Sequence, residues 1–323
     1  MSDTIAEVFR RMADDFEQGG SKLYAALARS LADDPLVAEI VGEGARWEAP
    51  LRLFGGVHYL ELAGMVSHPW GKLGGVLEAN RDWLARFVAE QPVQTNEVQR
   101  CWGLLPGFLT VADGRPVDLV ELGPSGGLNL FWDRYFFRYG EATWGDRRAG
   151  LELSGASEDG PPNALLDVGV SVRRRIGIDR QPVDVTTDHG ARLLEAFVWA
   201  DQTDRLERVR RALAIAREDP PRLLTGDYVE MLPALLAERD LDVLTVVYHS
   251  VSTVYLTPEE RKQLDATMEE EGRRGSLARV SYEFAREEPT FYAFALDAQS
   301  WPPGARRRLA RLDGHANTME WAS

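Results

Sequence analysis

The stretch PVDLVELGPSGGLNLFWDRY, residues 116–135, decides the fold. Its first part, Val-Asp-Leu-Val-Glu-Leu, is a short apolar run that stops at a cluster of glycines. Leu128, Phe131, Trp132 and Tyr135 then recur at helical spacing. The pattern predicts a buried strand, a tight turn and a helix. Glycines in such a turn let the backbone approach a neighbour or a ligand without a Cβ in the way, and a helix N-terminus offers free N–H groups to an anion. The same glycines equally serve a plain strand-to-helix crossover with nothing bound, so the turn alone leaves both readings open.

Downstream, strand and helix signals alternate. RRIGID (174–179), RLLTGD (222–227) and LDVLTVVYHS (241–250) read as further buried strands, and SLARVSYE (276–283) and TFYAFAL (290–296) as two more. A Leu-, Ala- and Arg-rich helix is expected over roughly 190–217. Another opens at Thr257-Pro258-Glu259-Glu260, which joins an N-cap, a first-turn proline and a capping-box glutamate. RRRLARLDGHANTMEW (306–321) suggests a closing hairpin through Asp313-Gly314. This alternation predicts an α/β fold with a mostly parallel sheet covered by helices on both faces. The segment from about 140 to 170 is rich in glycine, proline and acids, and reads as an inserted loop.

Upstream the chain is helical. Ile5, Val8, Phe9, Met12 and Phe16 share one helical face behind Thr4 and Glu7, which have capping-box spacing. Leu23, Tyr24, Leu27 and Leu31 mark a second helix, and Asp34-Pro35 starts a third. Further helices are expected near 54–66, 73–90 and 95–110. The organisation expected is therefore a helical region over 1–113 and an α/β domain over 114–323.

Composition narrows the function classes. With 323 residues, 44% of them hydrophobic, the chain has ample material for a globular core. No run of 18 apolar residues occurs and the first twenty residues lack a signal-peptide pattern, so no membrane association and a cytoplasmic, bacterial-type protein are expected. A formal charge of −14 argues against nucleic acid as a partner and favours a small molecule. The basic runs RVRRALAIAR and ARRRLARL read as solvated faces. A single cysteine, Cys101, and histidines at 58, 68, 189, 249 and 315 without ligand spacing give no metal site. No Gly-x-Ser-x-Gly elbow appears, which disfavours an α/β-hydrolase.

Glu121-Leu-Gly123-Pro-Ser125-Gly126-Gly127 resembles the first motif of class I S-adenosylmethionine-dependent methyltransferases, with serine at the middle glycine position. The resemblance implies that Glu121 complements the cofactor's ammonium group and that the turn takes its carboxylate. It implies likewise that Asp179, ending IGID, holds the ribose hydroxyls and that Asp227, in TGDYVEMLP, lies near the adenine amino group. Asp179 stands 52 residues beyond Gly127, far more than the roughly 20 usual in dinucleotide folds, so Glu141 remains a rival for the ribose. For Asp179 and Asp227, helix capping is the plain alternative. His249, after the fourth predicted strand, is the candidate general base, with Tyr248 beside it. His58, Asn96, Glu97 and Arg100 are candidate substrate-pocket residues from the helical region. A Gly-x-G-x-x-Gly dinucleotide turn fits poorly, because its third glycine would fall on Leu128.

Much of the chain is also similar to a bacterial family, domain of unknown function 2332. The similarity rests on SKLYAALARSLADDP, GGVHYLELAG followed by HPW, QTNEVQRC, LVELGPSGGLNLFWDRYFFRYG, TWGD, IGIDRQPVDV, ARLLEAFVWADQTDRLERVRRAL, GDYVEMLPALLAE and VVYHSVSTVYLTPEER. It implies a Rossmann-like, methyltransferase-like core behind a helical N-terminal region and carries no catalytic residue with it. The tail DGHANTMEW departs from the expected ending, so His315 receives no role. Three functions follow in order: an S-adenosylmethionine-dependent methyltransferase acting on a small molecule, a non-catalytic ligand-binding or assembly protein, and a nicotinamide-dependent oxidoreductase.

Overall fold

The computed structural model describes residues 4–42, 46–157, 159–285 and 294–322. Two compact units emerge, one comprising Met1–Thr95 with Val183–Arg210, the other Asn96–Pro182 with Arg211–Ser323. This division differs from the boundary expected at 113/114.

The first unit is helical, with helices Ile5–Gln18, Lys22–Leu31, Pro35–Val41, Ala49–Leu62, Leu73–Ala79 and Arg81–Glu90. The Thr4–Glu7 capping box forms in both directions, and Asp34 caps the third helix ahead of Pro35. Phe9, Phe16, Tyr24, Phe54 and Leu60 are among the buried side chains that build its core. The single helix expected over 190–217 is instead two, Asp188–Ala196 and Thr203–Glu218. The break has a cause: Asp201 accepts from the Ser21 hydroxyl at 2.6 Å and from the Leu23 amide at 3.1 Å, while Trp199 sets its ring edge-on to Phe16 at 5.1 Å. These contacts tie the segment to the first two helices, which a continuous helix would not allow.

In the second unit the strands, in chain order, are β1 (Val117–Leu122), β2 (Phe136–Tyr139), β3 (Ala142–Trp144), β4 (Glu152–Ser154), β5 (Ala156–Ser157), β6 (Val172–Asp179), β7 (Arg222–Thr225), β8 (Leu244–Ser250), β9 (Leu277–Phe284), β10 (Phe294–Trp301), β11 (Arg306–Leu312) and β12 (Thr318–Trp321). Nine of them form one sheet, ordered β5-β12-β11-β10-β9-β8-β1-β6-β7. From β7 through β9 all pairings are parallel, whereas β9, β10, β11 and β12 pair antiparallel. All six residues of β1 are buried, as expected of a central parallel strand. After β1 the chain builds β6 and β7 on one side and β8 and β9 on the other. The strand order thus reverses beside the glycine turn, the position where open α/β sheets offer a crevice.

The helix Arg100–Ala112 packs on this sheet and is buried almost all round. Gly107 allows the close approach, because a Cβ there would lie 2.7 Å from Val280 of β9. The same helix sets the ring of Phe108 edge-on to Tyr248 of β8.

Three local expectations change. The segment expected to be an inserted loop is structured: β2, β3 and β4 form a small sheet, and β5 pairs with β12 at the edge of the large one. Aromatic side chains supply its core, with Trp144 packed on Trp132 and Phe137 and bonded through its ring nitrogen to the Val168 carbonyl. The helix expected after the glycine turn is a seven-residue 3₁₀ stretch, Leu128–Arg134, kinked at Phe131. There Arg175 of β6 reaches the Leu130 carbonyl at 3.1 Å and Asp133 at 2.7 Å, holding the segment tight against the strand. Of the expected strand 290–296, residues 290–293 lie outside the described residues, and β10 is described from Phe294. The Asp313-Gly314 hairpin forms as expected, with the Asp313 carboxylate accepting from the His315 and Thr318 amides. Among the described residues no helix is long and apolar enough to cross a membrane.

Candidate functional site

The site is the turn after β1 with the ends of its neighbouring strands. Gly123, Ser125 and Gly127 have φ of 73°, 55° and 72°, so left-handed residues alternate along it. At Gly123 a side chain is excluded twice, by that conformation and because a Cβ would sit 2.7 Å from Ser252 Cβ. Gly126, between Ser125 and Gly127, is buried. Most of the amides that the turn was expected to offer are already spoken for. Gly123 donates to the Ile178 carbonyl at 2.9 Å and Gly127 to the Pro124 carbonyl at 2.9 Å. Ser125 donates to Asp179 Oδ2 at 2.9 Å, and Leu128 to Asn96 Oδ1 at 3.1 Å. The expectation of an open anion cradle therefore does not hold for these four groups.

The three acids differ sharply in setting. Glu121 is 2% exposed and faces Tyr248 across the parallel β1–β8 pair, where the tyrosine hydroxyl donates to its Oε2 at 2.9 Å. Burial pushes its pKa up to about 8, against the smaller opposing pull of the Tyr248 bond. Enclosed and holding its proton more tightly than usual, Glu121 does not present a free carboxylate at the turn. Asp179 is half-buried at the end of β6; its Oδ2 takes the Ser125 amide and its Oδ1 the Gln181 amide at 2.9 Å. Asp227 is likewise half-buried and caps the helix Tyr228–Ala237 through Val229, the plain alternative noted above. It also pairs with exposed Arg180, whose guanidinium reaches on to Glu260. Burial raises the Asp227 pKa, but the Arg180 bond and the helix amides outweigh it and hold the group below its ordinary value.

His249 is 1% exposed and lies on the other face of the sheet from Tyr248. Its Nδ1 bonds Glu283 at 2.7 Å, and its Nε2 receives Arg279 Nε at 3.1 Å. That pairing assigns a neutral ring with the proton on Nδ1. Burial lowers its pKa, and both nitrogens are engaged, so the arrangement leaves no free base. Glu283 accepts two backbone amides besides, from Ser252 at 3.1 Å and Thr253 at 3.3 Å. It thereby fixes the loop that meets Gly123.

Of the candidate pocket residues, the structure brings two to the turn. Asn96 bonds the Leu128 amide, and Tyr248 holds Glu121. Glu97 is buried and accepts the Gln99 amide at 3.2 Å, while Arg100 reaches the Gly314 carbonyl at 3.1 Å, in the β11–β12 turn. His58 belongs to the helical unit, where its Nδ1 bonds the Val198 carbonyl at 2.9 Å. Glu141, the rival for the ribose, lies in the turn between β2 and β3. The Cys101 thiol is buried against Asn129, and burial pushes its pKa well up, so it is inert. Among the described residues no three His, Cys, Asp or Glu side chains gather as a metal-binding group. Sequence reading missed Ser252, Glu283, Arg180 and Tyr228, whose hydroxyl donates to the Ser252 carbonyl at 3.3 Å. The one available signal was the polar run His-Ser-Val-Ser-Thr between β8 and the Thr257 cap.

No curated protein matches this chain. The sequence profile of a bacterial family matches residues 6–321, nearly its whole length. The chain belongs to that family, DUF2332, described as an uncharacterized protein conserved in bacteria.

Proposed function

We propose that the chain binds an adenosine-type ligand at the turn after β1, as a methyltransferase-like Rossmann protein whose first-choice ligand is S-adenosylmethionine. One observation carries the reading: Asp179 is half-buried beside the glycine turn, where the strand order reverses, with its carboxylate seated on the Ser125 amide. Each of its oxygens accepts one amide and keeps acceptor capacity for a ribose hydroxyl. The strand order β7-β6-β1-β8-β9 supports it, being the third-second-first-fourth-fifth order of doubly wound sheets. Asp227, next along the edge, would face the base once Arg180 yields, whose own side chain is exposed and can turn to solvent.

The residues fit the nucleoside half of the cofactor and not the ammonium end, since Glu121 is enclosed. Bound S-adenosylmethionine would supply a methyl group activated by its sulfonium charge. The chain's part is to hold the ribose and base, align a small-molecule acceptor and keep water out. A second reading, binding without turnover, is favoured by the engagement of both His249 nitrogens.

Titration calorimetry with S-adenosylmethionine and S-adenosylhomocysteine tests the proposal. Binding in the micromolar range is expected, weakened about tenfold or more in Asp179→Asn, the scale of a lost charge-assisted hydrogen bond. No heat and no thermal shift at millimolar ligand would remove the adenosine reading altogether. Release of S-adenosylhomocysteine from an acceptor mixture separates the enzyme from the binder.

A further inference from the structure

The committed amides of the turn raise a question for any ligand with an anionic end: which donors receive it? The loop after β8 offers an answer. The hydroxyls of Ser250 and Ser252 are both buried and have no hydrogen-bond partner among the described residues. Buried polar groups are paired almost without exception, so two unpaired hydroxyls within three residues need a reason. Ser252 is 7% exposed, and its Oγ would lie 3.4 Å from a Cβ built at Gly123, so it borders the backbone that a ligand would approach. Its main chain is fully engaged, the amide by Glu283 and the carbonyl by Tyr228, which fixes the residue while leaving its hydroxyl unused. Ser250 follows Tyr248 at a spacing of two on β8, on the face shared with Glu121.

We propose that the Ser250 and Ser252 hydroxyls bind the carboxylate of the ligand's amino-acid tail, an assignment that rests on the adenosine reading of the same site. Two hydroxyl donors match the two oxygens of one carboxylate. Glu121, held up to about 8 by burial, adds no full negative charge at neutral pH to oppose an anion there. Because both hydroxyls are enclosed, entry of the ligand requires movement at Val254 and Tyr255, which are 40% and 44% exposed, while the Glu283 bonds hold Ser252 in place.

The test compares S-adenosylhomocysteine with methylthioadenosine, the same nucleoside without the amino-acid tail, by calorimetry and thermal unfolding. Wild type should bind S-adenosylhomocysteine about tenfold tighter or better. The Ser250→Ala/Ser252→Ala double variant should lose that preference, keep its methylthioadenosine affinity, and unfold at the same temperature or higher. Equal binding of both ligands by wild type overturns the assignment while the adenosine reading stands. So does a preference that survives in the double variant, or a thermal midpoint that falls by several degrees and marks the hydroxyls as structural. If wild type binds neither ligand, the adenosine reading fails and the serine assignment falls with it.

Discussion

Asp297 and Glu121, one in each half of the nine-stranded sheet, are buried almost equally deeply and treated in opposite ways. In the antiparallel half, Asp297 is 4% exposed and is answered by Arg306 and Arg308, the latter at 2.6 Å. Asp313 spends its oxygens on the amides of its own hairpin turn. In the parallel half, Glu121 is 2% exposed and receives a single tyrosine hydroxyl, with no cation bonded to it among the described residues. Nearby stand two unpaired serine hydroxyls and the left-handed Ser125 and Val251. In the antiparallel half these two carboxylates are closed off by charge or by amides. The parallel edge carries costs that its own packing does not offset, and such costs concentrate where a protein meets a ligand.

The largest effect that can break this contrast is a pH dependence. Glu121 has a pKa of about 8 in the folded chain against an ordinary 4.5. Its folded value is raised, so the folded state holds the proton more tightly. The associated stability is complete below about pH 4.5 and is lost as pH climbs through about 8. Glu121→Gln keeps the shape and an acceptor for Tyr248 but cannot ionise. Its stability relative to wild type should therefore grow between pH 5 and pH 8.5, reaching on the order of 3 kcal/mol. Urea unfolding of both proteins across that range reads the difference directly. Parallel curves would mean that Glu121 holds its proton no more tightly in the folded chain than in the unfolded one.

The counterpart in the antiparallel half is Asp297→Ala. Removing one member of a buried ion pair strands the other, at a cost of about 3–5 kcal/mol. Here Arg306 is 62% exposed and can return to water, so a loss near the low end, about 3 kcal/mol, is expected in the same assay at pH 7. A loss below about 1 kcal/mol would show that the pairing contributes no more than an ordinary surface ion pair.

Local pattern made much of this legible. The caps at Thr4, Asp34 and Thr257, the strands β1, β6, β7, β8 and β9, and the hairpin at Asp313 are all written in neighbouring residues. The small sheet of β2–β4 was hidden because its glycines and acids outnumber its aromatics, although Phe137, Trp144 and Leu153 are enough to pack it. The 3₁₀ stretch was hidden because spacing alone cannot reveal the hold of Arg175, more than forty positions away, on Leu130 and Asp133. At the site, sequence placed the acids at strand ends but not their partners. Tyr248 meets Glu121 through the β1–β8 register, Asp179 meets Ser125 across the β1–β6 pair, and His249 meets Glu283 across β8 and β9. Register belongs to the assembled sheet, and one strand read alone does not contain it.

The smallest expected effect sharpens the contrast most finely, because both halves hold a non-glycine residue in left-handed conformation. Val251, with φ of 54°, leaves β8 beside the unpaired serines, and Ala316, with φ of 58°, sits in the β11–β12 turn. A left-handed residue with a side chain costs about 1–2 kcal/mol, more when β-branched, while glycine returns roughly 0.5–1 kcal/mol of that as lost freedom on folding. Val251→Gly and Ala316→Gly should therefore each gain about 0.5 kcal/mol in thermal unfolding. They should part company in calorimetry with S-adenosylhomocysteine. Ala316→Gly leaves binding unchanged, because its turn bonds Gln99 and Arg100 and not the glycine turn. Val251→Gly weakens binding severalfold, because the loop that carries Ser252 must then be ordered by the ligand instead of by its own backbone. Equal binding in the two variants would mean that the strain at Val251 is as structural as that at Ala316, and the contrast between the halves would rest on Glu121 alone.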